Sequence, residues 1–165
     1  APVIERDGIQ LFNAAGDRLT AKLGKRLIVP RGPTRIVVDA YDQVDKNLAR
    51  RRLGLYRLGY QLLNSDLSPA PGYDEARVTI EFDRLPPDQA AVKIAYADAS
   101  GITVYGSAAT RFLYEVTNTV RGGRAEVGVW SARELTAGDY VLRILAADYA
   151  GNEATEGRDL PITVK

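Results

Sequence analysis

The chain contains no cysteine, no histidine and no methionine. Without cysteine there is no disulfide framework and no thiol nucleophile. Without histidine, the usual zinc sites and any Ser-His or Cys-His nucleophile pair are excluded. Without methionine, the chain does not begin at its own initiator codon. The expectation is a product trimmed of a signal peptide or a segment of a longer protein, and Ala1 suits both, because small residues surround signal cleavage sites. No apolar run approaches the roughly 18 residues of a membrane span. A large charge of one sign is missing too: 22 Lys and Arg stand against 21 Asp and Glu, a net charge of +1. Dedicated nucleic-acid binders carry a strong basic excess, so that class is disfavoured.

What is present suits a folded domain. The 165 residues are 45% hydrophobic and 26% charged, enough for one domain with a real core and an ordinary soluble surface. Short runs rich in Val, Ile, Leu and Tyr are punctuated by Gly, Pro, Asn and Asp, a strand-and-turn rhythm. Gly8 to Asn13 and Arg26 to Pro30 read as early strands. In Thr34 to Asp42, Ile36, Val38 and Ala40 share one face. In Leu53 to Leu63, the parity carrying Tyr56, Leu58, Tyr60 and Leu62 is the buried one, and two glycines suggest a bulge or close packing. Ala76 to Asp83 points Val78, Ile80 and Phe82 inward. Val92 to Ala97 reads as a further strand. Gly122-Gly123 reads as a hairpin turn with Ala125 to Trp130 as its return strand. Asp139 to Ala147 and Asp159 to Val164 close the chain. The best helical candidate is a single turn at Ser131 to Leu135. About nine to eleven strands at this spacing predict an all-β antiparallel sandwich with Greek-key connections and an extra hairpin. Residues 1–25 form an N-terminal strand segment that either exchanges with a neighbour or acts as a linker. Residues 26–165 form the sandwich.

The stretch Leu135 to Asn152 (LTAGDYVLRILAADYAGN) resembles the penultimate strand of bacterial Ig-like and fibronectin-type modules. Gly138 permits the tight entry, Tyr140 stands where a tyrosine corner bonds upstream backbone, and Asp148 and Asn152 bracket a turn at Gly151. The combination RRRLGLYRLGYQLL (50–63), FDRLP (82–86) and TRFLYEVTN (110–118) is similar to Ig-like modules appended to secreted lysostaphin-like peptidases of the bacterial cell wall. Those peptidases need histidine ligands to zinc. The resemblance therefore implies the accessory module and not the peptidase. It implies a secreted, extracellular or periplasmic location, and a cell-wall polymer, a polysaccharide or neighbouring protein domains as partners.

Four sets of residues are candidates for function. Asp42, Asp45 and Asn47, joined by Asp148 and Asn152, offer oxygen ligands at loop spacing, which suits calcium or plain Asx-turn capping. Calcium is the one cofactor these residues suggest. Glu75, Glu81, Asp83, Glu115 and Glu126 are carboxylates that could pair for glycoside hydrolysis, yet each falls where a solvated carboxylate is expected anyway. Trp130, Tyr56 and Tyr60 are candidates for stacking on sugars, with core packing as the competing role. The basic run Arg50 to Arg52 reads as a solvated loop or a phosphate contact. The expectation is a non-catalytic spacer or cell-wall-binding module. The alternative is a structural subunit of an extracellular filament or surface layer, a homopolymer in which Ala1 to Glu5 adds a strand to the next copy.

Overall fold

The computed structural model describes residues 1–43, 52–82, 91–97, 100 and 111–165. Its architecture follows from strands whose core-facing side chains recur with period two. In β4 (Pro33–Gln43), Ile36, Val38 and Ala40 are fully buried on one face, as their alternation predicts. One edge of β4 carries β1 (Pro2–Phe12), antiparallel. Along the other edge lie β11 (Trp130–Ser131), β8 (Leu113–Glu115) and β5 (Arg52–Leu53).

The facing sheet has eight strands. In spatial order they are β10 (Arg124–Glu126), β9 (Thr119–Arg121), β7 (Arg77–Glu81), β6 (Arg57–Asn64), β12 (Gly138–Ala147), β13 (Asp159–Val164), β3 (Arg26–Val29) and β2 (Lys22–Leu23). Among the described residues, only β13 with β3 and β7 with β9 run parallel. The chain goes from β4 and β5 across to β6 and β7, back to β8 beside β4, across to the β9–β10 hairpin, back to β11 beside β4, then across again to β12 beside β6. That crossing order is a Greek key, and β6, β12 and β13 form its central trio. Between the sheets, Leu58, Leu62, Leu142, Ile144 and Ile162 pack against Leu11, Ile36, Val38, Tyr114 and Val116. The expected all-β sandwich is thus present.

Local features match their residues. The Tyr140 hydroxyl donates to the Thr136 carbonyl at 2.8 Å, which makes the tyrosine corner. Gly122 and Gly123 have φ of 59° and 77° and turn β9 into β10, the extra hairpin. At Gly59 a Cβ would stand 2.3 Å from the Arg77 carbonyl oxygen, and the β6–β7 register slips there.

Two elements differ from expectation. Val92 to Ala97 is not a strand: Ala91–Ala95 forms a short helix, α1, and a short apolar run carries no period that separates the two. Ala125 to Trp130 is not one return strand. Asn118 Oδ1 accepts from the Gly128 amide at 2.9 Å, and a Cβ on Gly128 would lie 2.5 Å from the Thr117 carbonyl. The ladder stops there, and Trp130 crosses to pair with Thr34 in the other sheet.

The N-terminal segment runs along β4 of its own chain, with Ile4 and Leu11 in the common core. Ile4 faces Ala40 and Ile9 faces Val38, so Glu5 to Gly8 bulge out against the single residue Asp39. Asp7 sits in the left-handed region at φ 55°. A Cβ on Gly8 would meet the Glu5 carbonyl at 2.7 Å and the Asp39 carbonyl at 2.9 Å. Only glycine fits that position without movement.

Candidate functional site

One end of the sandwich gathers Asp42, Tyr56, Asp148 and Asn152. β4 finishes there, with Asp42 opposite Leu53 of β5. The chain then crosses between sheets through Gly54 to Tyr56. This crossover is pinned at three points. The Leu55 amide donates to the Tyr114 hydroxyl at 2.7 Å, the Tyr56 amide to the Ala147 carbonyl and the Phe82 amide to the Tyr56 carbonyl, each at 3.0 Å. Burial drives the Tyr114 hydroxyl well above the usual tyrosine range, so it stays a neutral acceptor. Arg57 opens β6 directly opposite Ala147, the last residue of β12.

The turn after β12 completes this end. Asp148 Oδ1 accepts from the Asn152 amide at 2.9 Å, and Oδ2 accepts from Asn152 Nδ2 at 2.8 Å. The Asn152 side-chain bond, followed by backbone bonds, holds the Asp148 carboxyl below its ordinary range. Gly151 takes φ 90° to close the turn. Tyr149 stands at its tip, 85% exposed. Its ring meets Tyr56 edge-on, with centroids 5.1 Å apart and planes at 79°. Arg57 lies 5.8 Å over the Tyr56 ring and also pairs with Glu81 at 3.2 Å.

The expected binding aromatics separate. Tyr56 is at this surface. Trp130 is not: it is 1% exposed, and its indole N–H donates to the Tyr73 hydroxyl at 2.9 Å. A buried indole with its donor satisfied is core material, so the stacking role expected for Trp130 is corrected. Tyr60 is corrected likewise. It is 4% exposed on the inner face of β6, where burial raises its hydroxyl and Arg77 bonds it. The Tyr73 hydroxyl also donates to Glu134 Oε2, which accepts from Arg77 at 3.0 Å, and the Arg77 guanidinium stacks 4.0 Å from the Tyr73 ring. This network ties Tyr73 and β7 to Glu134. Tyr149 is the residue that sequence reasoning did not single out. The signal available was its place beside Asp148 in a turn, where an aromatic has no core to enter.

Of the calcium candidates, Asp45 and Asn47 lie outside the described residues. Asp42 is partly buried on β4, while Asp148 and Asn152 spend their side chains on each other. Among the described residues, no three acidic side chains converge. Among the carboxylates considered for hydrolysis, Glu81 pairs with Arg57, Glu115 with Arg35 and Glu126 with Arg124. Asp83 lies outside the described residues, and Glu75 is exposed. Of the basic run, Arg50 and Arg51 also lie outside them.

Fold and site together define a class: a β-sandwich with one aromatic, loop-built end. No protein-family model matches the chain, and no curated protein matches it closely enough to count as a relative. Among the described residues, no helix is long and apolar enough to cross a membrane.

Proposed function

We propose that the chain is a non-catalytic accessory module of a secreted bacterial protein, and that it binds cell-wall or related polysaccharide through Tyr149 and Tyr56. The supporting observation is the exposure of Tyr149, at 85%, on a turn braced by Asp148 and Asn152. Tyr149 and Tyr56 meet edge to face and leave an aromatic surface in water, whose burial under a ligand would contribute about 1.5–3 kcal/mol per ring covered. Sugar rings present C–H faces that pack on such a ring, and Arg57 beside Tyr56 adds donors for hydroxyl or carboxylate groups.

The test is retention on insoluble peptidoglycan and on neutral polysaccharide columns. Tyr149→Ala is expected to abolish retention. Val127→Ala, which trims an equally open apolar residue at 75% exposure, serves as the control. If the two variants behave alike, the assignment to Tyr149 fails.

A further inference from the structure

A second surface shares no residue with the aromatic end. Along the open side of the sandwich, between the bulged edge of β1 and the β2–β3 edge of the other sheet, runs a groove of ≈ 580 Å³. That size lies within the range of ligand sites. Its apolar lining comes from Ile9, Leu19 and Leu160, half-buried residues packed against the core. Its cations are Arg6, Arg18 and Lys22. All three are exposed, and none has an acid within ion-pair reach among the described residues. Of the two carboxylates among the described lining residues, Asp159 is neutralised by Arg143 at 2.7 and 2.8 Å, which leaves Asp7 alone among them against three positive charges.

The backbone adds a direction. Ile36 and Ala40 bond toward β8 through Val116 and Phe112, so β1 residues opposite them turn their amides and carbonyls away from β4. Leu11 obeys this rule, since its carbonyl accepts from the Leu19 amide at 2.8 Å. Ile9, two residues earlier and opposite Val38, has the same outward parity. No described residue bonds its outward groups. A free strand edge, an apolar floor and a cationic rim fit one occupant. We propose that the groove takes an extended acidic peptide segment, which adds as a short strand at Ile9, places an apolar side chain on Leu19 and Leu160, and sets carboxylates against Arg6, Arg18 and Lys22. Among the described residues, no aromatic side chain lines the groove, so these residues offer no stacking platform for a glycan.

The probe is a short fluorescent peptide alternating glutamate and valine, titrated against the full chain by anisotropy. Binding is expected, weakened by salt. It should fall at least about tenfold in an Arg6→Glu, Arg18→Glu, Lys22→Glu variant. It should disappear for the matching glutamine–valine peptide. The Ile9 amide should gain hydrogen-exchange protection only with the acidic peptide. The three substituted residues are exposed, so the variant should fold, and an unchanged circular dichroism spectrum checks that. Equal binding of the glutamine peptide, indifference to the charge reversal, tighter binding of an alginate oligosaccharide, or closure of the groove by a second copy in sedimentation would each overturn the proposal. Tyr149→Ala should leave peptide binding intact, which separates this outcome from failure of the polysaccharide reading.

Discussion

Tyr73 and Tyr149 both sit in connecting segments, yet one is 1% exposed and the other 85%. Tyr73 is consumed by the fold: Trp130 donates to its hydroxyl, Glu134 accepts from it and Arg77 covers its ring. Tyr149 touches Tyr56 at one edge and otherwise meets water. The comparison teaches that aromatic content alone says little here. What separates a structural ring from a candidate binding ring is whether its polar atom and its faces already have partners. If this is right, substitutions in the two clusters should divide cleanly between stability and binding.

The largest effect on stability should come from Trp130→Ala. Removing a fully buried indole leaves a cavity and costs about 3–5 kcal/mol. Urea unfolding should show the midpoint falling steeply, and a shift no larger than that of a surface substitution would break the division. Tyr73→Phe should come next. It keeps the ring but leaves the buried Trp130 N–H without an acceptor, at about 1–3 kcal/mol.

A smaller effect should come with pH through Glu134. Burial works to raise its carboxyl, but the hydrogen bonds from Tyr73 and Arg77 and the Arg77 charge outweigh that and hold it below the ordinary value of 4.5. The unfolded chain therefore takes up this proton first as pH falls. The contribution of Glu134 is present above pH 4.5 and is lost as the pH drops from there through the lower folded value. Glu134→Gln should flatten that part of the acid limb in thermal melts. An unchanged acid limb would mean that Glu134 is not held as described.

Much of this fold was legible because the side chains that face the core recur with period two. The faces of β4, β6, β7 and β12 follow from Ile36, Leu58, Ile80 and Leu142 and their neighbours two residues away. The tyrosine corner and the Gly122-Gly123 turn were legible because each residue type has one common use at such a place. What was not legible depends on contacts distant in sequence. Pro2 to Glu5 has a proline, one charge and no alternation that stands out, yet it pairs with β4 more than thirty residues on. Trp130 sits beside polar Ser131 and exposed Val129, and only its pairing with Thr34 carries it between the sheets. At the candidate site, the Asp148–Asn152 turn was readable, while the meeting of Tyr149 with Tyr56 was not, because it joins two loops on either side of the β6–β12 pair.

The smallest expected stability change belongs to the residue on which the functional reading rests. Tyr149→Ala removes one edge-on ring contact and almost no buried area, so the melting midpoint should move within about ±0.5 kcal/mol of free energy. Asp148→Ala, by contrast, frees the turn that carries the ring, and should loosen Tyr149 without removing it. Polysaccharide retention should then fall for both variants, and further for Tyr149→Ala. The same pair weighs the calcium alternative. A metal held by Asp148 would have to displace the Asn152 side chain from Oδ2, so millimolar calcium would raise the midpoint of the native chain but not of Asp148→Ala. Equal midpoints with and without calcium would leave capping as the whole role of Asp148. If Asp148→Ala bound polysaccharide as well as the native chain, ring exposure alone would suffice and the turn's rigidity would be irrelevant. The intermediate result, partial retention, is what a pre-set aromatic surface requires, because an unbraced ring must be ordered when the ligand arrives.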